Sequence, residues 1–134
     1  MDKDCIFCKI VEGKIPSYKI YEDDFAVAFL DAFPCVKGQT LVIPKKHITN
    51  SFLDLNDEDY TKLMLVAKKI SKAVDKSIGC VKMGLMVEGL ELNHVHVKIF
   101  PLSKSGFSGY PKMLDPKPSD EEMKEIAEKI KNSL

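Results

Sequence analysis

The sequence lacks an excess of charge of either sign, and this absence narrows the classes of function. Its 134 residues carry 20 basic and 20 acidic side chains, so the formal net charge is zero. Proteins that coat nucleic acid, or that attach to membranes through polybasic segments, carry an excess of basic residues. Both classes are therefore disfavoured. No stretch approaches the roughly 20 apolar residues that a membrane-spanning helix needs.

A secretory signal is also missing, because the charged N-terminus is not followed by an apolar run. We therefore expect a soluble, cytoplasmic protein with no membrane or nucleic-acid partner. In a reducing compartment, the four cysteines (Cys5, Cys8, Cys35 and Cys80) are expected to be thiols or metal ligands rather than disulfides. The sequence has no internal repeat, and its length predicts a single domain over residues 1–134.

Hydrophobic periodicity predicts an α+β domain with a mostly antiparallel five-stranded sheet. Apolar residues recur at helical spacing over residues 57–75, after Asn56 as a possible N-cap, and predict one long helix. Ser119 and Glu122 fit a capping box that opens a C-terminal helix at about residues 120–133. A short helix is expected near residues 5–11, and residues 103–118 are predicted to be irregular. Strands are predicted at residues 19–22, 25–31, 40–43, 82–87 and 93–101.

The last predicted strand contains two of the three histidines. Side chains alternate between the two faces of a strand, so His94, His96 and Lys98 share one face. The β-branched residues between them fall on the other face and can enter a core. A polar row of this kind can bind an anion, bind a metal, supply a nucleophile or simply face solvent.

Cys5 and Cys8 have the Cys-x2-Cys spacing of zinc sites and of redox pairs. A redox pair normally opens a helix that follows a strand, and no strand is predicted before Cys5. Zinc requires two further ligands, and His47 and His94 are available, which leaves His96 for another role. From spacing alone, a zinc site and two buried thiols remain equal alternatives.

Two further positions are open to more than one interpretation. Asp31 ends the second predicted strand, where it can be a turn residue or accept hydrogen bonds from a pair of sugar hydroxyls. Cys35 and Cys80 belong to no spacing pattern and are expected to be small apolar residues in or near the core.

Taken in order, several motifs resemble the histidine triad (HIT) family. They lie at residues 5–10 (CIFCKI), 15–16 (IP), 29–31 (FLD), 41–47 (LVIPKKH) and 94–101, where His-x-His leads to a proline. The resemblance covers about residues 4–102 and leaves residues 103–134 as a C-terminal extension. It implies an α+β HIT fold, a homodimer joined through the long helix and a strand, a purine nucleotide site, and cleavage at the α-phosphorus of an AMP or GMP conjugate.

The resemblance also implies roles for individual residues. His96 matches the family nucleophile, which forms a nucleotidyl-histidine intermediate that water hydrolyses. Asp31 matches the ribose-binding acid, and Asn93 offers a polar contact. Zinc would be held by the two cysteines of the Cys-x2-Cys pair together with His47 and His94. The positions that match the base pocket are Ile6, Phe7, Ile10, Phe29 and Leu30.

The third triad position departs from the family, because it is Lys98 instead of histidine. An ammonium can neutralise phosphate oxygens as a point charge. With an ordinary pKa near ~10.4, it is a poor proton shuttle at neutral pH. Two alternatives to a nucleotide hydrolase or nucleotidyl transferase therefore stay open. One is a nucleotide-binding module with weak or no turnover, and the other is a structural zinc protein that serves a partner.

Overall fold

A five-stranded antiparallel sheet organises the fold. The computed structural model of the chain describes residues 2–49, 52–104 and 112–134. Along the sheet the strands follow the order β1-β2-β3-β5-β4, and every neighbouring pair is antiparallel. The predicted α+β class and the antiparallel sheet are thereby confirmed. The strands are β1 (Lys19–Glu22), β2 (Ala26–Leu30), β3 (Thr40–Pro44), β4 (Lys82–Met86) and β5 (Val97–Leu102).

The helices are α1 (Ile6–Val11), α2 (Asp57–Ile78) and α3 (Asp120–Lys131), with a 3₁₀ turn at Phe52–Asp54. Helix α2 begins at its predicted cap, where the side-chain oxygen of Asn56 accepts the Asp59 N–H at 2.8 Å. It continues past the predicted end at residue 75 and stops before Gly79, whose φ of 80° favours glycine. None of the helices in the described ranges has the length and apolar character needed to cross a bilayer.

The central strands of the sheet are buried on both faces. In β2, alternate side chains enter different apolar clusters, and all five residues of the strand are buried. Ala26, Ala28 and Leu30 join the cluster that contains α2 and α3, whereas Val27 and Phe29 join the one that contains α1. The long helices therefore cover one face, and the short N-terminal helix covers part of the other.

The C-terminal helix belongs to the larger of these clusters. The Ser119 hydroxyl accepts the Glu122 N–H at 3.1 Å, as predicted for the cap of α3. Met123, Ile126 and Ile130 are buried with α2 and the sheet. Of the segment predicted to be irregular, residues 112–118 carry no helix or strand, and residues 105–111 lie outside the described residues.

Strand β5 is shorter than the sequence predicts, because it begins at Val97 rather than at residue 93. Its register pairs Val42 of β3 with Val97, so two more steps toward the N-terminus would bring Val95 opposite Pro44, which has no N–H for the ladder. The backbone N–H of Val95 instead donates to the Ile48 carbonyl at 2.9 Å. His94 and His96 consequently lie in an irregular segment that leads into β5.

Candidate active site

Four predicted metal ligands converge at the N-terminal end of α1. Their ligand atoms (Cys5 Sγ, Cys8 Sγ and one ring nitrogen each of His47 and His94) all lie within 4.8 Å of one another. Nδ1 of His94 lies 3.3 Å from Cys5 Sγ and 3.5 Å from Cys8 Sγ, and Nδ1 of His47 lies 3.3 Å from Cys8 Sγ. Residues that are far apart in sequence thus form one compact group of two sulfurs and two nitrogens.

This group fits zinc. Zinc binds thiolate sulfur at about 2.3 Å and imidazole nitrogen at about 2.0–2.1 Å, so the sulfur–nitrogen edges of a tetrahedral site measure about 3.5 Å. The observed separations of 3.3–3.5 Å match these edges. Burial raises the pKa of the Cys8 thiol, so a cation would be needed to hold this thiolate at neutral pH.

A hydrogen bond of His94 and a longer charge contact of His47 orient the two rings as ligands. Nε2 of His94 lies 2.8 Å from the Pro44 carbonyl oxygen. A carbonyl only accepts, so Nε2 carries the proton and the lone pair on Nδ1 faces the cysteines. Burial lowers the pKa of His94, which favours the neutral, ligating ring. Nε2 of His47 faces the Asp2 carboxylate at 3.8 Å, the type of contact that supports a ligating imidazole.

A cavity of about 470 Å³ lies beside this cluster, on the face of the sheet that α1 covers. Its volume falls in the range of small-molecule sites. The five positions predicted to line a base pocket all line this cavity: Ile6, Phe7, Ile10, Phe29 and Leu30. Asp31, His96 and Lys98 line it too, so eight of the nine predicted nucleotide contacts meet at one concave surface. The exception is Asn93, which is not among the described residues that line the cavity.

His96 is buried, and its orientation is specific. Its Nδ1 lies 2.7 Å from the carbonyl oxygen of His94, which can only accept a hydrogen bond, so Nδ1 carries the proton and donates. The lone pair of the neutral ring is therefore on Nε2. Burial lowers the pKa of His96, and the charge of Lys98 acts in the same direction, so the ring is neutral at pH 7. A neutral imidazole with an accessible lone pair is a nucleophile.

The same ring is held by aromatic packing. Phe7, which is only 4% exposed, lies edge-on to His96 with ring centroids 5.0 Å apart. Phe7 also contacts His94 at 5.7 Å and Phe29 at 5.8 Å between centroids. Such edge-to-face pairs each contribute about 0.5–1.5 kcal/mol beyond area burial. Phe7 thus links the metal-ligand cluster, the histidine and the apolar part of the cavity.

Lys98, at the third triad position, is paired with an acidic side chain. Its ammonium forms an ion pair with the Glu88 carboxylate, in which the side chains are 15% and 19% exposed. Both residues line the cavity. Glu88 follows β4 and Lys98 lies in β5, so the antiparallel pairing of these strands brings them together.

Asp31 is positioned by a residue that the sequence analysis missed. Its Oδ2 accepts a hydrogen bond from the Gln39 side-chain amide at 2.8 Å, and its Oδ1 accepts the Phe33 N–H at 2.9 Å. Gln39 is only 2% exposed, and its own oxygen accepts the Cys35 N–H at 2.6 Å. The one signal in the sequence was a polar residue directly before a short strand that was predicted to be buried. For Glu88, an acid in a short connection, there was no comparable signal.

The fold and the site agree with a known family. A family model described as the HIT domain matches residues 12–105. The chain belongs to the HIT family. A HIT-like protein from Bartonella henselae superposes with a TM-score of 0.81 at 31% sequence identity, over 99% of this chain and 98% of that one.

Two other HIT relatives bear on the site. A zinc-bound histidine triad protein from Mycobacterium smegmatis superposes with a TM-score of 0.78 at 25% identity, over 97% of this chain and 92% of that one. The adenosine 5′-monophosphoramidase of Schizosaccharomyces pombe is 34% identical over 137 residues, which cover 97% of this chain and 98% of that protein.

Proposed function

We propose that this HIT protein is a purine nucleotide-binding hydrolase or nucleotidyl transferase that acts at the α-phosphorus of an AMP or GMP conjugate, with His96 as nucleophile. The observation that carries the proposal is the hydrogen bond from His96 Nδ1–H to the His94 carbonyl at 2.7 Å, in a ring that lines the cavity. It leaves the Nε2 lone pair for attack. The relative named as a phosphoramidase supports the same class of reaction.

In the proposed reaction, Nε2 of His96 attacks the α-phosphorus while the bond to the leaving group breaks. The leaving group takes the electron pair of that bond, and an amine leaving group also takes a proton from solvent. Water then attacks the nucleotidyl-histidine and loses one proton to solvent. The phosphorus–nitrogen bond breaks, its electron pair returns to Nε2, and the nucleoside monophosphate leaves with the neutral ring restored. Splitting one displacement into two steps lowers each barrier.

The other residues have supporting roles in this proposal. The base would stack in the apolar part of the cavity, between α1 and β2, and the ribose hydroxyls would donate to Asp31. Lys98 would lie beside the phosphate oxygens as a point charge. Asn93 stays a sequence prediction for a polar contact.

The first experiment measures AMP release from adenosine phosphoramidate by the native protein and by His96→Ala. We expect release to vanish in the variant, because His96 is the one imidazole among the described residues that line the cavity. Binding of AMP to the variant, measured by calorimetry, controls for an intact cavity. If His96→Ala releases AMP at the native rate, the mechanism is wrong.

A second candidate function is a nucleotide-binding module with weak or no turnover. The ion pair between Lys98 and Glu88 favours it, because a paired ammonium is a poor proton shuttle. The Lys98→His variant separates the two candidates. A large gain in AMP release would identify a binding module derived from an enzyme, whereas no gain would mean that lysine serves the native reaction.

We further propose that zinc occupies the Cys5, Cys8, His47 and His94 cluster in a structural role. Four protein ligands complete a tetrahedral site and leave no position for substrate. Bound there, zinc would fix the two histidines and the start of α1. Because the His94 carbonyl orients His96, a fixed His94 also fixes the direction of the proposed nucleophile. A structural zinc protein without nucleotide affinity is disfavoured by the lined cavity.

We also propose a homodimer formed through α2 and β4. A groove between them is lined by exposed apolar residues, among them Leu65 at 61% and Leu85 at 44% exposure. In the same groove, the buried Ser71 hydroxyl has no hydrogen-bond partner within the described part of the chain. Leu65→Glu should convert a dimer to a monomer in light scattering, whereas Leu53→Glu, an exposed leucine outside the groove, should not. The cytoplasmic location stays a prediction.

A further inference from the structure

The ion pair between Lys98 and Glu88 neutralises the positive charge at the third triad position. Lys98 lies two residues beyond His96, and its ammonium is already neutralised by a carboxylate inside the same cavity. The pair is mostly shielded from water, since the side chains are 15% and 19% exposed. At such burial, solvent screens charge only partly, so Glu88 acts on whatever binds beside Lys98.

The charges around the cavity are unbalanced. Three carboxylates line it, from Asp31, Glu88 and Glu91, and Lys98 is the one cation among the described residues that do so. The chain contains no arginine at all, so a bidentate guanidinium clamp for phosphate is absent. These three carboxylates and the single ammonium sum to a formal charge of minus two.

Three of these charges act on the His96 ring, and those of Glu88 and Asp31 oppose that of Lys98. Asp31 is held by Gln39 and a backbone N–H, on the side proposed for the ribose. The group beside the leaving atom is therefore a neutralised ion pair instead of a free cation.

We propose that Glu88 is a specificity-determining residue, which by pairing with Lys98 disfavours polyphosphate leaving groups and favours neutral or cationic amines. This inference rests on the function proposed above. A leaving group with further phosphates would bring negative charge toward Glu88 without a free cation to receive it. A departing alkylamine becomes an ammonium at neutral pH, and a carboxylate stabilises that product.

The test compares two substrates in parallel. One is AMP joined through a phosphorus–nitrogen bond to propylamine, and the other is diadenosine tetraphosphate. For each protein we measure kcat/KM for both and take the ratio of the polyphosphate value to the phosphoramidate value. Glu88→Gln should raise this ratio at least about tenfold, because it removes the repelling charge and frees the Lys98 ammonium.

Two variants control the experiment. Glu88→Asp retains the carboxylate and should keep the ratio close to that of the native protein, which a merely steric role of Glu88 would not predict. Glu91→Gln removes the exposed carboxylate from the same cavity, and it should change the ratio by less than about twofold. An equal change in Glu91→Gln would assign the effect to general cavity charge and overturn the role of Glu88.

The outcomes separate this inference from the function on which it rests. If the native protein releases AMP from neither substrate, the proposed function fails. If it releases AMP but Glu88→Gln changes kcat/KM for both substrates by the same factor, Glu88 is structural and the inference fails. Should Glu88→Gln not fold, the native protein is compared on AMP joined through nitrogen to propylamine and to β-alanine, whose extra carboxylate would approach Glu88. The propylamine compound should have the higher kcat/KM, and equal values would refute the inference.

Discussion

Metal removal should destabilise this protein through four particular side chains. The perturbation is chelation of zinc from the loaded native protein, compared with the same treatment of Cys8→Ala. Cys8 is fully buried, and its sulfur lies 3.3 Å from His47 Nδ1 and 3.5 Å from His94 Nδ1. Replacing it leaves three of the four ligands and opens the site.

The expected magnitude follows from linkage between metal binding and folding. A ligand at a free concentration about 1,000 times its dissociation constant stabilises the native state by about 4 kcal/mol. With an unfolding entropy typical of a chain of this length, the melting temperature changes by about 15 °C. Loss of the Cys8 sulfur without any metal effect costs only the packing of one small buried group, about 1–2 kcal/mol.

Calorimetric unfolding with and without chelator measures these changes in stability and melting temperature, and elemental analysis gives the zinc content. Chelation should lower the melting temperature of the native protein by about 15 °C and should leave that of Cys8→Ala almost unchanged. Cys35→Ala is the matched control, since Cys35 is also a buried thiol but lies outside the cluster; it should respond to chelator as the native protein does. A native melting temperature that chelator leaves unchanged, in protein containing stoichiometric zinc, would refute the reasoning.

Two further predictions concern polar side chains. Gln39→Met removes the amide that holds Asp31 and should weaken AMP binding about tenfold, the loss expected for a hydrogen bond to a charged group; calorimetric titration that finds an unchanged affinity would contradict this role. Asp23 has a lowered pKa, because hydrogen bonds from the Tyr21 hydroxyl and two backbone N–H groups outweigh the opposing effect of burial. Its stabilising contribution is therefore complete above the unfolded pKa of about 3.9 and is lost as pH falls through the lower folded pKa. In urea unfolding, Asp23→Asn should be less stable than the native protein at neutral pH, and the difference should vanish in strong acid; a difference independent of pH would contradict the assignment.

Local sequence patterns predicted the secondary structure because they depend on neighbouring residues. Helix α2 could be predicted from its apolar spacing and from the cap at Asn56, since both act within a few residues. The burial of Val95 and Val97 could be predicted from their apolar, β-branched side chains, whereas the burial of His94 and His96 beside them could not. The start of β5 could not, because it depends on the register with Pro44 of another strand.

In the candidate site too, some features could be predicted from the sequence and others could not. Its principal residues could be predicted from the order and spacing of the HIT motifs, which include all three histidines and both cysteines of the metal-ligand cluster. The hydrogen bond that sets the His96 tautomer was not predictable, because it depends on the path of the backbone through His94. Nor was the role of Gln39, whose two hydrogen bonds form only when the loop before β3 closes.

The sequence by itself determined which chemical groups are available to the candidate site, namely the two cysteines of the Cys-x2-Cys pair, three histidines and a lysine in place of the third triad histidine. Only the tertiary structure determined which side chain pairs with that lysine, Lys98. Lys98 and Glu88 lie ten residues apart, and they meet because β4 and β5 pair side by side and the chain turns sharply between them. The electrostatic environment of a substrate beside His96 depends on all the charged side chains that folding brings close to it. The spacing of residues along the chain does not show which side chains these are.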